Sequence, residues 1–193
     1  MANVKISDLT ALEAQPSTDD YFVIVDTSEA ADADKTKKID FGYAIKTYAD
    51  SLVNVTGVTT YTPTWTAQTT NPSLGNGSIN GRYYRIGNVV TVFINLTMGS
   101  TTTYGSGEWW FSMPFTWKVS PWANMPIGYG RYTDAGNQHY GGPVVIGDYA
   151  KVGCMAFPAA YPAYLDWVAY NVPFTWGTSD TLEITFSYLA NIS

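Results

Sequence analysis

From residue 61 onward the chain alternates between apolar and polar positions. In 88–96 the residues Val90, Val92, Ile94 and Leu96 share one side, and in 182–189 Leu182, Ile184, Phe186 and Tyr188 alternate with Glu183, Thr185 and Ser187. A period of two belongs to a strand with one buried face. Tyr83–Ile86 and Val89–Val92 are separated by Gly87-Asn88, a pair that supplies positive φ for a two-residue hairpin turn. Further strands are predicted at 108–113, 125–129, 144–146, 151–156 and 167–170, with Gly, Pro and Asn between them. No helical period of useful length follows Leu52, so the pattern predicts a mainly β fold, an antiparallel sandwich of jelly-roll type. Pro-Phe-Thr-Trp occurs twice, at 114–117 and 173–176. It marks two strands leaving the sheet at a proline, or is a chance duplication.

Residues 1–53 read differently, as a small mixed α/β segment. Ser7 is placed to cap a short helix through Leu9 and Leu12, Tyr21–Val25 is an apolar run of strand length, and Thr36–Ile39 is a second strand. Phe41, Ile45, Tyr48 and Leu52 then recur at helical spacing, with Asp40 as their cap. So small a segment buries little surface, and its exposed side is expected to dock on something.

Charge sharpens this division. The 193 residues carry 10 basic and 16 acidic side chains, a formal charge of −6. Residues 1–53 hold 5 basic and 10 acidic groups, whereas residues 54–193 hold only 5 and 6, together with all seven Trp. The boundaries that follow are a segment at 1–53, a linker at 54–60 and a β body at 61–193. An acidic chain without a basic cluster is repelled by nucleic acid and by anionic lipid, and no apolar run approaches the length of a membrane span. A single cysteine, Cys154, and a start without a basic leader or apolar core fit synthesis in a cytosol. A 140-residue body exposes about 7,000 Å² as a monomer, so its charges are spread at roughly one per 600 Å². Either sister copies cover part of that surface, or its abundant Thr, Ser, Asn and Gly keep it soluble unaided.

Candidate chemistry is sparse. His139 lies in a predicted loop, Cys154 in an apolar stretch that reads as buried strand, and no nucleophile elbow occurs. The body's carboxylates are Glu108, Asp134, Asp148, Asp166, Asp180 and Glu183. Asp180 reads as turn chemistry and Glu183 as an outward strand residue, and no pair is brought together by spacing. One His, one Cys and no dense carboxylate loop argue against a metal site, and no cofactor motif is present. No catalytic residue is assigned. What remains is aromatic: Trp109-Trp110, Tyr129 with Arg131 and Tyr132, His139-Tyr140, and Tyr161 with Tyr164. Flat apolar faces with polar edges stack on sugar rings or anchor protein interfaces, and core packing is the competing use.

The stretches Tyr61-Thr62-Pro63-Thr64-Trp65, Tyr83 through Val92, Phe111-Ser112-Met113-Pro114, Val172 through Trp176 and Ser187-Tyr188-Leu189 resemble the C-terminal β module of tailed-bacteriophage fibre and virion surface proteins. Lys5 through Leu9, Asp20 through Asp26 and Thr36 through Ile39 are similar to the N-terminal attachment segment of phage tail-fibre and head-fibre proteins. The resemblance implies a homotrimeric jelly-roll knob on a virion-anchoring segment, assembled in the host cytoplasm, with no catalytic residues to transfer. Its partners would be further copies of itself, a major capsid or tail protein, and host-surface glycan. Anchoring candidates are Ile6, Leu9, Leu12, Tyr21, Phe22, Lys37, Lys38 and Phe41. Receptor candidates are Trp109, Trp110, Tyr129, Arg131, Tyr132, His139 and Tyr140. With no shaft of repeats between the two pieces, the expectation is a capsid decoration or squat head-fibre protein, with a short glycan-binding tail fibre as the alternative and a polysaccharide-degrading enzyme as the lesser one.

Overall fold

The computed structural model describes residues 21–25, 36–40, 57–118, 124–160 and 162–192. The chain divides into two compact units, Met1–Val53 and Asn54–Ser193. In the first, β1 (Tyr21–Val25) pairs antiparallel with β2 (Thr36–Asp40), Tyr21 opposite Asp40 and Val25 opposite Thr36. The predicted helices at 7–12 and 41–52 lie outside the described residues, as do Ile6, Leu9, Leu12 and Phe41.

The larger unit is antiparallel β, and no helix occurs among the described residues. Its strands are β3 (Thr59–Tyr61), β4 (Trp65–Ala67), β5 (Ser78–Ile86), β6 (Val89–Thr97), β7 (Trp109–Ser112), β8 (Pro126–Thr133), β9 (His139–Ile146), β10 (Lys151–Ala156), β11 (Asp166–Trp167) and β12 (Thr181–Leu189). They form one sheet in the order β3-β5-β6-β12-β8-β9-β10-β7-β4, with β11 beside β10. The two terminal strands of that path, β3 and β4, are joined by only residues 62–64. So short a link cannot span an open sheet of this width, and the sheet therefore curls until its ends meet. Ser112 ties the join: its hydroxyl accepts the Thr64 amide at 2.8 Å, its own amide donates to the Thr64 carbonyl at 3.0 Å, and Tyr61 Oη donates to its carbonyl at 3.3 Å.

Curling gives the sheet a concave face that is the core. Val90, Val92, Ile94 and Leu96 of β6 and Leu182, Ile184, Phe186 and Tyr188 of β12 all point inward, in the phase their alternation predicts. Val144 and Ile146, then Val152, Cys154 and Ala156, continue the lining around the curl. Aromatics fill the centre: Trp109 lies 4.8 Å from Trp65 and 5.1 Å from Trp176, and Trp176 lies 4.6 Å from Phe174, ring centre to ring centre. Each fully buried large apolar side chain contributes about 1.5–3 kcal/mol.

Three local readings change. Only Gly87 of the hairpin pair has positive φ, at 57°, which places glycine at the first central position of the turn and lets Asn88 stay in ordinary conformation. His139 is not in a loop but opens β9, opposite Thr133. The strand predicted at 167–170 shrinks to Asp166–Trp167, because the chain turns back on itself where Ala169 bridges Val172.

Candidate functional site

The outer face of β5, β6, β12 and β8 carries the site. Their registers align residues in rows across the four strands. Asn80, Asn95, Glu183 and Arg131 form one row, and Arg82, Phe93, Thr185 and Tyr129 form the next. These eight side chains line a groove of about 640 Å³. They face outward for the reason that Val92, Ile94, Ile184 and Tyr132 face inward: successive residues of a strand point to opposite sides.

Two exposed rings sit in the upper row. Tyr129 is 60% exposed and Phe93 46%, high values for residues that ordinarily seek cover. Tyr84 backs Phe93, with ring centres 6.3 Å apart. Gly141, opposite Arg131, leaves room for the Tyr129 phenol, which a side chain there would strike. The lower row is polar and already paired in part: Arg131 Nε donates to Glu183 Oε2 at 2.7 Å, Arg131 Nη2 reaches the same oxygen, and Asn95 Nδ2 donates to Glu183 Oε1 at 3.4 Å.

The seven aromatic and polar candidates separate into different environments. Tyr129 and Arg131 belong to the groove. His139 is exposed one row further along, its Nδ1 3.1 Å from Thr133 Oγ1. Trp109 and Tyr132 are fully buried, which corrects their place among surface candidates. Trp109 Nε1 donates to the Tyr104 carbonyl at 3.0 Å, and Tyr132 Oη donates to the Met155 carbonyl at 3.2 Å. Burial raises the Tyr132 hydroxyl far above the ordinary phenol range. Tyr140, opposite Tyr132, is half-buried against Phe174 at 5.2 Å. Trp110 packs on Trp167 at 5.0 Å, on the outer surface of β7 and β10, away from the groove residues. Among the anchoring candidates, Tyr21 and Phe22 fall on β1 and Lys37 and Lys38 on β2, with Lys38 opposite Val23.

Phe93, Arg82, Asn80, Asn95, Glu183 and Thr185 complete the groove although none was a sequence candidate. Their signal was available. The hairpin turn fixes Arg82 opposite Phe93, and the buried phase of β6 sends Phe93 and Asn95 outward.

Five of the six body carboxylates, all but Glu108, accept hydrogen bonds from the surrounding structure. Asp134 accepts Asn137 Nδ2 at 2.8 Å, Asp148 accepts the Ala150 amide at 2.7 Å, and Asp166 accepts the Trp167 amide at 2.8 Å. Glu108 is raised above the usual carboxylate range, first by burial and then by the charge of Asp166. Cys154 is fully buried, and burial pushes its thiol up to about 12. Among the described residues, no three His, Cys, Asp or Glu side chains gather as a metal site would require.

The outer wall of the curled antiparallel β module thus carries a groove that combines aromatic faces with polar edges. The chain is similar to the Mu-like prophage FluMu defective tail fiber protein of Haemophilus influenzae, 30% identical over 132 residues, which is 66% of this chain. The match spans 20% of that relative's length, about a fifth. The similarity supports a protein of phage tail-fibre type. No family model matches the chain, and no solved structure does.

Proposed function

We propose that the chain is a non-enzymatic structural component of a tailed-phage virion, of tail-fibre type, whose outer groove contacts glycan on the host surface. In this reading the curled sheet forms a jelly-roll-like knob, three copies associate, and residues 1–53 anchor the knob to a tail protein of the particle. Tyr21, Phe22, Lys37 and Lys38 would contribute to that anchor. The observation that carries the reading is the 30% identity with a tail fiber protein. It favours the tail over the capsid mount expected from the missing shaft. The groove supports the receptor role, because Phe93 and Tyr129 offer ring faces to a sugar while Asn80, Asn95 and Arg131 offer polar edges to its hydroxyls.

Gold-labelled antibody raised against residues 61–193 and applied to intact particles tests the mount. Label at the tail is expected; label over the shell would return the chain to capsid decoration. Purified full chain added before infection should slow adsorption of the phage, and Tyr129→Ala should weaken that competition.

A further inference from the structure

Charge in the groove is unbalanced. Glu183 has both oxygens engaged by Arg131 and Asn95, so the one carboxylate lining the groove is neutralised from within. Arg82 is different. Among the described residues its guanidinium has no ion-pair or hydrogen-bond partner, and its neighbours across the ladder, Thr60 and Phe93, are uncharged. A second hollow of about 440 Å³, lined by Thr60, Tyr61, Thr62, Asn80, Gly81 and Arg82, adjoins the groove and shares Asn80 and Arg82 with it. The free guanidinium thus stands between two concavities in a chain of net charge −6, where a cation without a partner is least expected.

Such a group recognises carboxylate or phosphate through its planar fork. Arg82 and Tyr129 occupy the same row, three strand spacings apart, a distance of about 14 Å. Phe93 lies between them. That span exceeds one sugar ring and suits a short oligosaccharide lying across the strands.

We infer that the groove selects an acidic oligosaccharide, with a carboxylate or phosphate group on Arg82 and a sugar ring over Phe93 and Tyr129. This deepens the glycan-binding reading and rests on it. The two rings supply affinity for any sugar of suitable length, and Arg82 supplies discrimination between charged and neutral versions of it.

Full-length chain applied to an array of matched glycan pairs tests this, each pair consisting of a uronate-containing, sialylated or phosphorylated oligosaccharide and its uncharged counterpart. Signal for at least one acidic member is expected to exceed that of its neutral partner by about tenfold, the worth of one good charge-assisted contact. Added salt should narrow the gap. Arg82→Gln should abolish it, bringing the acidic member down to the signal of its neutral partner, and Tyr129→Ala should weaken both members. Which acidic series responds separates carboxylate from phosphate. Equal signal within every pair, or an undiminished preference in Arg82→Gln, overturns the role of Arg82 while leaving the glycan reading intact. No signal on any glycan overturns both.

Discussion

Asp180 accepts a hydrogen bond from the Ala135 amide at 2.8 Å across 45 residues of chain. Its other oxygen accepts the Gly177 amide at 2.6 Å, and the side chain is only 3% exposed. One carboxylate therefore closes the turn before β12 and pins it to the loop between β8 and β9. Hydrogen bonds to a charged group are worth about 1.5–3 kcal/mol each, and two amides would be stranded without this one. Asp180→Ala should lower unfolding stability by about 3 kcal/mol in urea titration. Asp180→Asn, which keeps one acceptor and turns an amide group toward a donor, should fall between.

The protein should lose stability in alkali. Cys154, Tyr132, Tyr61 and Tyr188 all hold their protons more tightly when folded, in each case chiefly through burial. A group whose folded pKa is raised contributes stability that is whole below its unfolded pKa and disappears as pH climbs toward the folded one. The unfolded values are about 8.5 for a thiol and about 10 for a phenol. Melting temperature should hold steady between about pH 7 and pH 8 and fall from about pH 8.5 upward. Each group ionised only in the unfolded chain contributes a slope of about 1.4 kcal/mol per pH unit. Native Cys154 should resist a thiol reagent at pH 8 and react once urea is added.

The core was legible in the sequence because Val90 through Leu96 and Leu182 through Tyr188 advertise their phase by strict alternation. The phase of β7 was not. Trp109, Trp110 and Phe111 are all apolar, so nothing in the sequence says which of two adjacent tryptophans goes inside; pairing with β4 and β10 decides it in favour of Trp109. Tyr129 and Tyr132 were grouped as one patch, yet three residues along a strand reverse the face, and the structure buries one and exposes the other. Asp180 looked like ordinary turn chemistry, since its partner at Ala135 lies in a loop that only the sheet order brings near. The groove is illegible in the sequence for the same reason: its rows are assembled from four strands, and β12 sits between β6 and β8 by a pairing that spans most of the body.

The Arg131–Glu183 pair should matter little to folding despite its close geometry. The two side chains are 57% and 39% exposed, and water screens an ion pair at such a site to about 0–1 kcal/mol. A double-mutant cycle through Arg131→Gln and Glu183→Gln should return a coupling below about 1 kcal/mol. Coupling of about 3 kcal/mol would mean that the groove wall is covered in solution.

The proposed association of three copies would have a surface to use. Ile86, Val89 and Leu189 lie opposite one another in the ladders of β5, β6 and β12, at the hairpin end of the outer face, and each is about half exposed. The neighbouring row of Tyr84, Thr91 and Ser187 carries no charge, so a sister copy meets no like-charge repulsion there. Apolar burial of this strip would also relieve the low charge density of the body. Sedimentation of the full chain should give a trimer of the 21.2 kDa protein at micromolar concentration. Leu189→Lys places a charge in the strip without touching the core, because Tyr188 and not Leu189 points inward. That variant should sediment as a monomer and keep its β circular-dichroism spectrum. A trimer unaffected by Leu189→Lys would put the contact elsewhere, and a monomeric wild-type chain would remove the trimer from the proposal.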